Sequence, residues 1–396
     1  MTSGKAFGTA WSVALCALAL SCGGSSAPSN SVSSTNVQAM MVNGGPNGNY
    51  ANGLFTTVTV CAPGSANCQS VSNVLVDSGS FGLRLLASEL GIAGGALPQQ
   101  KDGSGNSVYE CAQFVDSILW GPVKTADVKI GSESANSIPI EVISSSTTPV
   151  PSGCKSKGPA EEDLSSLGAN GILGIGFFLQ DCGSACSVSG AANPGFYYSC
   201  SGSSCQVTAE SNAEQVQNPV GFFATDNNGV ILHLPPATTA ATVTGSLTFG
   251  IGTQSNNAIG SAQIFRPDSV GNLKTSFNSQ TYAGFIDSGS NGYFFLDSAT
   301  TGLADCSSSQ QGFYCPASPM SFSATNTSGA SSNTVNFTIG NASQLFAASS
   351  GFAFPTLGGP DPAMFDWGLP FFFGRNIYVA IEGRQTPVGD GPFWAY

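Results

Sequence analysis

The chain has 396 residues, enough for one large domain or two of ordinary size, and only 9% of them are charged. Its 50 Gly and 22 Pro favour strands and turns over helices, and 41% apolar content with 26 Phe excludes a disordered polymer. A formal net charge of -12 with 11 Lys and Arg excludes nucleic acid and anionic membrane surfaces as ligands.

Residues 1–21 read as an export signal: Lys5 precedes an apolar run from Ala10 to Leu20 broken only by Ser12. Ala19-Leu20-Ser21-Cys22-Gly23 has the form of a lipobox, in which Cys22 is lipidated and becomes the mature N-terminus. The plainer alternative is a cleaved signal with an incidental cysteine. The apolar run is too short to span a bilayer well, so membrane contact is expected only through the lipid. With Gly23 rather than Asp after Cys22, the outer membrane of the cell envelope is the expected location. Residues 22–44 are read as a flexible tether.

Leu54 to Cys61 reads as a strand, and a second one, Val71 to Val76, delivers Asp77. Strand-like runs fill 105–146, and residues 179–218 read as a polar, Cys-rich insertion made of loops. Val230 to Leu234 and Gly245 to Gly250 read as strands on either side of Pro235-Pro236 and an Ala/Thr stretch. That stretch is taken as a boundary, giving an N-terminal β lobe at 45–237 and a C-terminal β lobe at 238–396. Arg375 to Glu382 reads as a closing strand.

Of twelve cysteines, Cys16 falls in the signal and Cys22 is assigned to lipid, which leaves an even ten. In an exported chain that reads as a disulfide framework. Cys61 with Cys68, Cys200 with Cys205, and Cys306 with Cys315 can clip local loops, and Cys111 with Cys154 makes a longer pair. Pairing within Cys182, Cys186, Cys200 and Cys205 stays open, and zinc is the competing reading for that cluster.

One element occurs twice. From Asp77 the chain reads DSGSFGLRLL, and from Asp287 it reads DSGSNGYFFL, with six of ten positions identical. Each copy follows an apolar run and is followed in its own half by an apolar glycine motif, Ile172-Leu173-Gly174 and Trp367-Gly368. Duplication of one lobe leaves such a pattern, and it brings two carboxylates to one seam. Such a pair cannot ionise cheaply at both members, so it shares a proton. The glycine permits a tight bend, and the neighbouring hydroxyls can orient each carboxylate.

These residues resemble the bilobal, pepsin-like aspartic peptidases, and also a family of bacterial lipoproteins, DUF3443, with DxGSxGLR and DWGLPFF motifs. The resemblance implies a mainly β, two-lobed fold with pseudo-two-fold related lobes and a central cleft. It implies that Asp77 and Asp287 are the catalytic pair, with Gly79 and Gly289 in the bends. It has Ser78 and Ser288 gripping the opposite loop, and Ser80 and Ser290 bonding the carboxylates. Gly174 and Gly368 fall behind the pair. The ligand is then a polypeptide in the cleft of a monomer, with water as nucleophile and no metal or organic cofactor. Two departures stand out. Arg84 occupies the place of a Trp and is read as an ion-pairing or cleft-lining residue, and Tyr109, without the usual Gly-x-Gly, is the flap candidate.

Two other readings stand beside this one. A catalytically silent binding lipoprotein could keep the same fold. A Ser-His-Asp hydrolase would need His233, the only His, and no Gly-x-Ser-x-Gly elbow accompanies it.

Overall fold

The structure is a computed structural model that describes residues 35–307, 310–348 and 351–396. The expected signal at 1–21, Cys22 and the first part of the tether lie outside the described residues.

The first half supplies β1 (Val37–Asn43), β2 (Gly53–Cys61), β3 (Cys68–Asp77) and β4 (Phe81–Leu86). Then come β5 (Ser107–Gln113), β6 (Ile118–Ile130), β7 (Glu133–Ile143) and β8 (Gly171–Ile175). A hairpin of β9 (Tyr197–Ser201) and β10 (Ser204–Val207) precedes β11 (Gly229–Leu234) and β12 (Val243–Phe249). β-branched and aromatic residues dominate these segments, as a pleated, half-buried surface requires.

Strand β8 is inserted between β3 and β4. It runs parallel to β3, with Asp77 opposite Gly174, and antiparallel to β4, with Gly82 opposite Gly174. A Cβ on Gly174 would lie 2.6 Å from the Phe81 amide nitrogen, so only glycine lets the Asp77 loop close over this strand.

The second half repeats the arrangement. It runs through β13 (Ile264–Phe265), β14 (Leu273–Phe277), β15 (Gln280–Ile286), β16 (Tyr293–Leu296), β17 (Met320–Ser328) and β18 (Ser331–Ile339). After β19 (Gly358–Gly359), strand β20 (Asp361–Trp367) lies parallel to β15 and antiparallel to β16, so Trp367 faces both Ile286 and Tyr293. Gly368 follows at once, and a Cβ there would lie 2.0 Å from the Gly292 carbonyl oxygen. In each lobe, then, a strand ending at an Asp loop flanks a strand that leads into a glycine.

The closing strands β21 (Arg375–Ala380), β22 (Gln385–Thr386), β23 (Gly389–Asp390) and β24 (Phe393–Ala395) revise the lobe boundary. Six strands lie side by side in the order β1, β12, β11, β21, β24, β13, continuous with the sheet that carries Asp77. The expected cut at 237 therefore passes between hydrogen-bonded neighbours, because the end of the chain returns to pair with β11. The tether is also shorter than expected: Val37–Asn43 pairs with both β12 and β2. The expected loop insertion contains the β9–β10 hairpin, which extends the sheet of β5 and carries the buried Tyr197 and Tyr198.

One apolar core runs from Val58, Leu83 and Phe177 to Trp367, Phe371, Phe372 and Trp394. All ten cysteines among the described residues pair: Cys61–Cys68, Cys111–Cys154, Cys182–Cys186, Cys200–Cys205 and Cys306–Cys315. The sulfurs open to a zinc reading are thus joined in two local clips.

Candidate active site

Strands β3 and β15 end facing one another, and each is followed by a Ser-Gly-Ser bend. The Ser78 amide donates to the Ser288 hydroxyl at 3.0 Å, and the Ser288 amide to the Ser78 hydroxyl at 2.9 Å. Each hydroxyl passes its own hydrogen across the seam, Ser78 to the Ile286 carbonyl at 3.1 Å and Ser288 to the Val76 carbonyl at 2.7 Å. Both serines are buried, so these four bonds fix one loop against the other.

The carboxyls are oriented by their own loops. Ser80 donates to Asp77 Oδ2 at 2.5 Å and Ser290 to Asp287 Oδ2 at 2.8 Å. The Gly289 amide donates to Asp287 Oδ1 at 2.8 Å. The Gly79 amide is shared, 2.7 Å from Asp77 Oδ1 and 3.1 Å from Asp287 Oδ1. Two oxygens bonded to one N–H lie within about 6 Å of each other whatever the angle. The glycines are required by space, since a Cβ on Gly79 would lie 2.6 Å from Asp287 Cγ and one on Gly289 2.7 Å from Asp77 Cγ.

Asp77 is 6% exposed. Burial, and next the charge of Asp77, push the Asp287 carboxyl well above the usual carboxylate range. A site of this kind holds a base and an acid side by side, because one proton is shared between two carboxyls.

The pair forms a floor common to two cavities, of about 940 Å³ and about 750 Å³. Phe114, Val115 and Asp116 line both, so the tip of the β5–β6 hairpin is the element over the pair. Val115 is 94% exposed at that tip. Tyr109 does not take the flap role expected of it. It lies down the hairpin, buried, stacked on Trp120 with ring centroids 5.2 Å apart, and its hydroxyl bonds Thr147 and Thr148. Sequence position relative to Asp77 gave its strand but not the place of the turn.

Arg84 is buried in an ion cluster, 2.5 Å from Glu110, 3.2 Å from Asp181 and 3.3 Å from Glu141. Tyr197 donates to Asp181 at 2.6 Å. Glu110 belongs to the hairpin strand β5, so the cluster ties the hairpin to β4 and β7. Burial pushes Asp181 and Glu141 well above the usual range, with the Glu110 charge next. Burial also opposes ionisation of Glu110, but the Arg84 charge holds that carboxyl below its ordinary value.

Two residues escaped the sequence reading. Tyr50 lines the larger cavity, and Asp366 lines the smaller one as a third carboxyl beside the pair. The Asp inside the apolar run Phe365-Asp366-Trp367 was the available signal for the second. Among the described residues no group of His, Cys, Asp or Glu has the arrangement of a metal site.

Residues 32–396 match the family model described as "Protein of unknown function (DUF3443)". No curated protein matches the chain. Among solved structures the chain is similar to the aspartic proteinase from Irpex lacteus, at 16% identity over 91% of this chain and 96% of that one, with a TM-score of 0.52. At that identity the likeness concerns the fold, which is mainly β, two-lobed and pepsin-like.

Proposed function

This chain belongs to the DUF3443 family, and we propose that it is an aspartic endopeptidase that hydrolyses peptide bonds with the Asp77/Asp287 pair. The observation that carries the reading is the single Gly79 amide shared by both carboxyls at 2.7 and 3.1 Å. An extended polypeptide lies across the pair, beneath Phe114 and Val115.

Asp287, whose carboxyl is held above the usual range, keeps the shared proton in this reading. Asp77 takes a proton from a water molecule as the water oxygen bonds to the scissile carbonyl carbon, and Asp287 gives its proton to the carbonyl oxygen. The tetrahedral diol then collapses. A hydroxyl proton returns to Asp287, the proton on Asp77 passes to the departing nitrogen, and the C–N bond breaks to acid and amine. The pair ends as it began, so no cofactor enters the balance.

Ten paired cysteines support export to an oxidising compartment. No helix among the described residues is long and apolar enough to cross a membrane. Attachment through Cys22 is the matching proposal for location.

The experiment is digestion of an unfolded protein between pH 3 and 8, with fragments read by mass spectrometry, with and without a statine-containing peptide. Statine-sensitive cleavage is expected. Intact substrate across that range would favour the silent binding module instead.

A further inference from the structure

We propose that Asp366 is the recognition residue for a lysine or arginine side chain of the polypeptide in the cleft. The catalytic consequence rests on the endopeptidase reading, but the binding does not.

Asp366 sits on β20 opposite Phe285, two residues before the Asp287 that β15 delivers. Its side chain lines the smaller cavity, together with Asp77 and Asp287. It is 7% exposed, and its Oδ1 atom has no hydrogen-bond partner. The charges that act on it are those of Asp287, Asp361 and Asp77, all acidic.

A buried carboxyl without a counter-charge is costly, and a cation that reaches it removes that cost. This chain offers none there. Among the described residues Arg84 is the single basic side chain lining either cavity, and Glu110, Glu141 and Asp181 already surround it. The walls beside Asp366 suit the stem of a long cationic side chain, since Phe285, Phe294, Met364 and Trp394 line the same cavity. Asp116 and Asp361 on its other walls favour the same charge. An apolar residue at 366 would make this wall a hydrophobic subsite; Asp makes it a subsite for a cation with an apolar stem.

The test uses the full chain and labelled, otherwise uncharged octapeptides that carry one lysine, moved position by position, or norleucine in its place. Fluorescence anisotropy reads binding, and mass spectrometry reads cleavage separately. In one register lysine should bind about tenfold tighter than norleucine, as a desolvated charge pair allows. Acetylation of that lysine should remove the gain in the unaltered protein, and Asp366→Asn should bring the lysine peptide to the norleucine level. No lysine preference in any register, no binding of either peptide, or a preference that survives Asp366→Asn would overturn the proposal. Lysine-selective binding without cleavage would leave this subsite standing and remove the endopeptidase reading. Cleavage without lysine preference would do the reverse.

Discussion

Ser78 and Ser288 are each the hydrogen-bond acceptor for the other's amide, at 2.9 and 3.0 Å across the seam between the lobes. Each also donates to a carbonyl on the opposite strand, so removing one hydroxyl leaves a buried amide and a buried carbonyl unpaired. Ser288→Ala should therefore lower stability by about 2–3 kcal/mol, measured by urea unfolding. Because the two serines share one network, the double variant with Ser78→Ala should cost less than the two single costs added together. Strict additivity would mean that the lobes are held by something else.

The second prediction concerns Gly79. Alanine there places a methyl group 2.6 Å from Asp287 Cγ, so the carboxyl end of that side chain has to move. Gly79→Ala should displace the Asp287 carboxyl and abolish peptide cleavage while the disulfides still form. Full activity in a folded Gly79→Ala protein would show that the close approach is not required.

The hairpin is the subject of the third. Replacing Arg84 by Met leaves Glu110, Glu141 and Asp181 buried without their cation. The expected loss is about 3–5 kcal/mol, or a steep rise in hydrogen exchange along Ser107–Gln113 at neutral pH. Unchanged stability and exchange would mean that the carboxyls are neutral without help.

These cases show what could be read from the sequence. The Asp loops and both glycine motifs were legible because a duplicated lobe repeats a local pattern, and local patterns survive in one dimension. The partners of Arg84 lie on β5, on β7 and after β8, so only the sheet order brings them together. The role of Tyr109 failed for a related reason. The strand-like runs in 105–146 placed it on a strand, but the turn falls at Phe114 to Ser117, and stacking on Trp120 holds Tyr109 away from the cleft. The β9–β10 hairpin was hidden by its polar, Cys-rich composition, which reads as loop until Cys200 and Cys205 are seen to clip it.

The pH dependence of stability has a definite sign. Burial, followed by a neighbouring acidic charge, pushes Glu161 and Glu210 up to about 7, and it holds Glu141, Asp181, Asp287 and Asp366 well above the usual range. The folded state then keeps protons that the unfolded chain releases near pH 4, so stability falls as pH rises from about 4 through about 7. Glu110 alone among the buried cluster acts in the opposite sense. Calorimetry should give a higher melting temperature at pH 5 than at pH 8. A melting temperature that climbs across that interval would contradict the assigned burial of these carboxyls.

The central claim is that Asp77 and Asp287 act as one proton-sharing pair on a bound polypeptide. The most direct measurement compares cleavage of an unfolded protein by the unaltered chain, Asp77→Asn and Asp287→Asn, with circular dichroism recorded for each. The account predicts cleavage by the unaltered chain, none by either variant, and the same β-rich spectrum for all three. Cleavage that persists in either folded variant would contradict it, because a single carboxyl cannot supply both the base and the acid.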